Sequence, residues 1–321
     1  MNSHELSRLY ASREIIGWEE FRTPGIAKQQ FDLLNGRGVF VPFRIVGQTR
    51  ETSGQKVFLH WVTTKYLQTK TVVKHYYPQL IGDCVSHGAR HATEVVNIIE
   101  IAQKGEHEKH REVFAPYYYG TGRVYVGGNR IGGDGSLGSW MAEAVQKYGT
   151  LFADEPDVPQ YSANVAKQWG SSKSVLDKWK PKAESFPVKG VAQINSWDEL
   201  VAAIVNGYPC PTASDVGYSM EASSDGFHKQ TTSWAHQMCF IGADDTYKSG
   251  DEPYALLLNS WGEDAHGRLK DFETGDDLPP GILRVRRKDA EKHIRAGETY
   301  AYSNFNGFPE QLLNKSLFML V

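Results

Sequence analysis

Residues 79–88, reading Gln-Leu-Ile-Gly-Asp-Cys-Val-Ser-His-Gly, constrain this chain more than any other stretch. After Gly88, apolar side chains recur at Ala89, Ala92, Val95, Val96, Ile99 and Ala102, steps of three and four that mark a helix with one buried face. Cys84 then falls in the first turn of that helix. Unpaired N–H groups and the positive end of the helix dipole converge there, and both favour thiolate over thiol, so the thiol pKa is expected below its ordinary value of about 8.5. Gln79 lies just upstream on a loop marked by Pro78 and Gly82, and its amide N–H can turn toward the same point. An amide donor beside a thiolate points to an oxyanion hole.

A thiolate of this kind needs a base, and the base needs an orienter. Two later stretches read as strands, short apolar runs closed by Gly242 and by Gly262. His236 enters the first run and Asn259 ends the second. If these strands pair, the Asn259 amide can hold one imidazole nitrogen while the other faces Cys84, the logic of a nucleophile, base and orienter set.

These residues resemble the papain-like cysteine peptidases. The family's pattern of a Gln shortly before a helix-capping Cys, a His entering a strand, and then Asn-Ser-Trp-Gly is met in the same order by Gln79, Cys84, His236 and Asn259-Ser260-Trp261-Gly262. Asp134-Gly135-Ser136, followed by a helix ending Lys147-Tyr148-Gly149, is similar to the family's glycine-rich substrate-binding segment, and residues 281–287 are similar to its last strand. The likeness covers residues 76–288, roughly two thirds of 321. It departs from the pattern in several places. Val85 stands where the family has an aromatic residue, and the step from Gln79 to Cys84 is one residue short. Ala235 replaces the usual Asp or Asn before the histidine, Ser136 replaces a glycine, and the disulfide cysteines are missing.

The resemblance implies an α+β fold, with a helical half carrying the nucleophile helix packed against an antiparallel sheet or barrel half and a cleft between them. It implies a peptidase that cleaves peptide or isopeptide bonds through a thioester acyl-enzyme without a cofactor. Cys84 would be the nucleophile, His236 the base, Asn259 its orienter and Gln79 an oxyanion donor. Asp134, Gly135, Ser136, Ala235 and Trp261 would flank substrate or shield the triad, and Ser214 and Asp215 would fall near the main specificity pocket. The expected partner is a protein or peptide substrate.

Composition narrows the alternatives. A formal net charge of −3 with both signs interspersed gives no basic footprint for nucleic acid and no polybasic segment for a membrane surface. No apolar run approaches the length of a membrane span, and the first residues lack the apolar core of a signal peptide, so a cytoplasmic or virion-associated setting is expected. Three scattered cysteines, Cys84, Cys210 and Cys239, fit neither a disulfide framework nor a zinc spacing. Cys84, His87 and His91 would share a helix face and could bind a metal. That reading leaves Gln79, His236 and Asn259 unexplained, and no metal is expected. The Gly-Asp-Cys-Val-Ser-x-Gly variant is also similar to uncharacterised papain-like proteins of bacteria and their phages. The alternative is therefore a virion or assembly component that uses the fold as a scaffold and associates, with itself or with a virion, through its terminal extensions.

Around the module, residues 1–75 are expected to form a helix over 3–16 and strands over 38–46 and 56–66, a structural extension packed on residues 76–288. Residues 117–130, rich in tyrosine and glycine, lack the Gly-Lys-Ser/Thr of a phosphate loop and read instead as a flexible loop at the cleft rim. Ser196-Trp197-Asp198-Glu199 is a capping box opening a helix. Residues 263–280 hold several carboxylates without calcium-loop spacing and read as a solvated loop. Residues 289–321 are expected as a C-terminal extension, a short helix and an aromatic tail docked on the module surface or on a neighbouring subunit.

Overall fold

The computed structural model describes residues 1–37, 40–46, 54–60, 63, 77–104, 109–246, 252–309, 311 and 313. In chain order the elements that position the site are α1 (Ser3–Ala11), α2 (Ile26–Asn35), β1 (Val41–Pro42), β2 (Lys56–Phe58), α3 (Cys84–Lys104), α4 (Ala115–Gly120), α5 (Gly138–Lys147), β3 (Gly190–Gln193), α6 (Trp197–Val205), β4 (Cys210–Tyr218), β5 (Gln230–Asp244), β6 (Tyr254–Leu258), β7 (Ile282–Arg286), α7 (Arg287–Arg295) and β8 (Glu298–Ser303). Among the described residues the strands run β1-β3-β8-β4-β5-β6-β7, with β2 added against the far end of β5. All neighbours are antiparallel except β1 with β3, and the sheet stays open rather than closing into a barrel.

Helix α3 lies on β5, and glycine at 88 makes the approach close enough. A Cβ there would meet the Gln237 amide at 2.8 Å, so only a bare Cα lets the Gln237 side chain cross under the helix and donate to the Val85 carbonyl at 2.9 Å. The apolar stripe read from the sequence is buried along its length, with Ala89, Ala92, Val95, Val96 and Ile99 each at most 4% exposed. The capping box forms at α6. The Ser196 side chain accepts from the Glu199 N–H, and the Glu199 carboxylate reaches back to the Asn195 N–H.

Several expectations change. The helix over 3–16 stops at Ala11, and the chain then turns through Arg13, whose φ is 66°. In the run over 38–46 only Val41–Pro42 is strand among the described residues, since proline has no N–H to continue the ladder and a helical turn follows it, and residues 38 and 39 lie outside the described residues. In the run over 56–66 only Lys56–Phe58 is strand, and residues 61, 62 and 64–66 lie outside the described residues. The tyrosines at 117–119 are not a rim loop but the buried helix α4, where the Tyr118 hydroxyl meets Thr93 and Thr150 and the Tyr119 hydroxyl accepts from the Gly135 N–H. The aromatic tail is not on the surface either. β8 pairs with β3 on one side and β4 on the other, and Tyr300, Ala301 and Tyr302 are buried in it. No described helix is long and apolar enough to cross a membrane.

Candidate active site

Cys84 opens α3 with its sulfur buried and accepting from the Gln237 N–H at 3.3 Å. Gln79 approaches from the preceding loop. Its carbonyl oxygen accepts from the Ser260 hydroxyl at 2.5 Å and its backbone N–H donates to the Ser260 carbonyl at 2.8 Å, so the Asn-Ser-Trp-Gly stretch holds the glutamine in place. The other end lies 2.8 Å from the Ile81 carbonyl, which can only accept, so that end is Nε2.

The geometry around Asn259 fixes tautomers. Its Oδ1 lies 2.7 Å from the Ser260 backbone N–H, a group that can only donate, so this end of the carboxamide is the oxygen. The same Oδ1 lies 2.7 Å from His236 Nε2, which must therefore carry the proton. His236 Nδ1 is then the lone-pair nitrogen, and it is buried with no hydrogen-bond partner of its own. Trp261 covers this pair, its ring 5.0 Å from the imidazole.

The structure thus brings Gln79, Cys84, His236, Asn259 and Trp261 into one buried cluster, and it also places there residues that the sequence did not flag. The Gln79 amide donates at 2.6 Å to the hydroxyl of Tyr10, on α1. That hydroxyl lies beside the Cys84 sulfur, and the Tyr10 ring packs 4.8 Å from His236. Beyond α1 the chain crosses the cleft. The N–H groups of Gly17 and Trp18 donate to the Ala235 carbonyl at 3.0 and 2.9 Å, Glu19 N–H donates to the Ser136 carbonyl at 2.9 Å, and Ser136 N–H donates to the Gly17 carbonyl at 3.0 Å. Gly17 sits directly over Cys84, where a Cβ would collide with the sulfur. Glycine is required there for room alone.

The remaining predicted residues frame this crossing. Asp134 accepts from the Gly82 N–H through its carboxylate and from Arg22 through its carbonyl. Gly135, at φ 107°, has its carbonyl held by the Arg123 guanidinium, which also grips the carbonyls of Ile131 and Gly133. Ser136 and Ala235 contribute backbone rather than side chains. Ser214 is occupied elsewhere, its hydroxyl 2.7 Å from His293 Nδ1. The side chain that meets the cleft's occupant is Glu298 on β8, which accepts from the Trp18 indole at 2.5 Å and from the N–H groups of Gly138 and Ser139 at the start of α5. His87 lies 3.4 Å from the Asp83 carboxylate, and among the described residues no group of three or more His, Cys, Asp or Glu is arranged to hold a metal.

Burial dominates the electrostatics. It pushes the Cys84 thiol up to about 12, opposed by the Gln237 N–H and the Tyr10 hydroxyl and reinforced by Asp83. It lowers His236 to about 3 against the Asn259 hydrogen bond. The helix terminus is expected to lower the thiol, but burial is the largest influence on it and raises it. Both groups are neutral in this state.

No family model matches the chain, and no curated protein does. Solved structures do. Xylellain, a cysteine protease from Xylella fastidiosa, superposes with a TM-score of 0.52 at 14% identity, covering 82% of this chain and 94% of that one. This chain has a papain-like fold. Digestive procathepsin L 3 of the Tenebrio molitor larval midgut is similar at a TM-score of 0.49 and 16% identity, over 83% of this chain and 74% of that one. Bromelain from Ananas comosus is similar at 0.45 and 17%, over 74% and 96%. The fold assignment rests on xylellain.

Proposed function

We propose that the chain is a papain-like cysteine peptidase whose cleft is covered by its own N-terminal segment. The observation that carries this reading is the crossing of residues 17–19. They pair by four backbone hydrogen bonds with Ser136 and Ala235 across a cysteine sulfur, the way an extended peptide is held. No carbonyl of the segment lies on the Gln79 amide, since that amide is taken up by the Tyr10 hydroxyl and the Ile81 carbonyl. The segment is thus an occupant and not a substrate.

Once the segment leaves, water and substrate reach the sulfur, and the thiol proton passes to His236 Nδ1. The Cys84 thiolate attacks the carbonyl carbon of a peptide or isopeptide amide, while Gln79 Nε2 and the Cys84 N–H stabilise the oxyanion. His236 gives its proton to the departing amine, leaving a thioester that water hydrolyses by the same base. Asn259 keeps the imidazole oriented through both steps, and Trp261 keeps water from their hydrogen bond.

Gly17→Val puts a branched side chain where none fits, and so dislodges the segment. Gly17→Val is expected to hydrolyse members of a peptide library and to take an epoxide label on Cys84, whereas Gly17→Val/Cys84→Ala does neither. A dislodged chain that is neither labelled nor active sinks the proposal. It would favour the second reading, a scaffold protein, to which the complete burial of the sulfur lends support.

A further inference from the structure

The loop expected to be solvated, residues 263–280, turns inward. Ala265, His266, Leu269, Asp271 and Leu278 are each at most 6% exposed, and His266 is delivered to the far side of Asn259. Its Nε2 lies 2.7 Å from Asn259 Nδ2. The Ser260 N–H has already identified the other end of that carboxamide as oxygen, so the end facing His266 is the NH2, and His266 Nε2 must accept. His266 is therefore a neutral imidazole protonated on Nδ1, the opposite tautomer from His236.

The residue is held there at a cost. Its φ of 70° is one that side chains other than glycine rarely adopt, and the surrounding packing has to impose it. That packing is specific. The Trp261 ring lies 5.8 Å from the His266 ring and the Trp234 ring 6.2 Å, while His228 meets it edge-on at 5.6 Å and takes its backbone carbonyl at 3.1 Å. A space-filling residue would need none of this precision in its ring nitrogen.

We propose that His266 is a positioning residue for the Cys84, His236 and Asn259 set. By accepting from Nδ2 it joins the Ser260 N–H in stopping the carboxamide from rotating, keeps Oδ1 on His236 Nε2, and so keeps the lone pair of His236 on the nitrogen that must take the thiol proton. Without that acceptor, the amide NH2 is a buried donor with no partner, and turning the amide end for end would set two donors against each other at His236 and favour its wrong tautomer. The inference rests on the peptidase reading for its catalytic consequence but not for its geometry.

Two variants separate positioning from packing. His266→Gln supplies a side-chain oxygen that can accept from Asn259 Nδ2, whereas His266→Leu fills similar space and accepts nothing. In the Gly17→Val background, His266→Leu is expected to lower kcat by about a hundredfold with little change in KM, the lower end of what a correctly poised base contributes. His266→Gln should recover most of that loss. In the otherwise unmodified chain, nitrogen-15 imidazole spectra should show His236 protonated on Nε2, a signature kept in His266→Gln and mixed in His266→Leu. Equal losses in both variants at equal melting temperature, or an unchanged His236 tautomer in His266→Leu, would overturn the proposal. If the Gly17→Val background turns over no peptide while the tautomer still changes only in His266→Leu, the positioning role stands and the peptidase reading falls.

Discussion

The two walls of the cleft are finished in different ways. On the sheet side, His236, Asn259 and His266 form a line of two hydrogen bonds, each 2.7 Å long, contributed by β5, the end of β6 and the loop that follows. On the helix side, Cys84 and Gln79 take contacts from Gln237, Ser260 and Ile81 and also from the N-terminal segment, through the Tyr10 hydroxyl and the covering backbone of Gly17. The line of hydrogen bonds on the sheet side uses no side chain of the N-terminal segment, whereas the helix side does. On the proposed reading, the difference separates the residues that would do the chemistry from the segment that would control access to them.

The sharpest break in this comparison is removal of the nucleophile. In the Gly17→Val background, Cys84→Ala is expected to lower peptide hydrolysis to background, a loss of about a millionfold on the scale of a nucleophile deletion, measured as kcat on a fluorogenic peptide. The next test concerns the sheet side. Burial holds His236 and His293 at about 3, His228 at about 4 and His266 well below its ordinary value. A histidine with a lowered folded pKa contributes stability that is present above 6.5 and lost as pH falls toward the folded value, at about 1.4 kcal/mol per pH unit for each such group. With four of them in this region, the melting temperature is expected to fall steadily below pH 6.5 and the fold to fail before pH 4 in calorimetry. A melting temperature flat across that window would mean that these imidazoles are not held neutral.

Gln79→Ala probes the borrowed contact. In the Gly17→Val background it should lower kcat by about 100- to 1,000-fold while KM moves little, as expected for a donor used only when negative charge develops. A change confined to KM would place Gln79 in substrate binding instead. Smaller again is the effect of Gly17→Val on access. The clash of an added side chain costs about 1–3 kcal/mol, or about 5- to 150-fold in the population of the open cleft, read as the rate of epoxide labelling at Cys84. The smallest change is Trp18→Phe, which removes the indole donor from Glu298 and should speed labelling by about tenfold, in line with a lost hydrogen bond to a charged acceptor.

What the sequence disclosed about this site follows the same division. Gln79, Cys84 and Asn259 could be read because each sits at a local boundary, where a loop meets a helix or a strand ends, and such boundaries leave a mark in apolar periodicity; His236 lies well inside β5 and was legible only through its place in the order of motifs. Tyr10, Trp18, Glu298 and His266 left no such mark. Tyr10 looked like one apolar position of an amphipathic helix, and its partner is 69 residues away; Trp18 meets Glu298 across 280 residues. Periodicity reports that a side chain is buried and not against what. β8 was misread for a related reason. Its aromatic run, Tyr300-Ala301-Tyr302, is buried on both faces of an interior strand, so it lacks the alternation that marks a half-exposed one. The carboxylates at 263–280 drew attention to solvent, while the buried positions between them, at 265, 266 and 269, carry the structure of that loop.

The central claim is that the covering segment, and not the architecture of the cleft, keeps Cys84 dormant. The most direct measurement is the pH dependence of Cys84 alkylation by iodoacetamide in the unmodified chain and in Gly17→Val, with the modified peptide quantified by mass spectrometry. The unmodified chain should show the thiol pushed up to about 12 and little reaction at neutral pH, and Gly17→Val should react with an apparent pKa at or below about 8.5. Superimposable profiles for the two proteins would contradict the account.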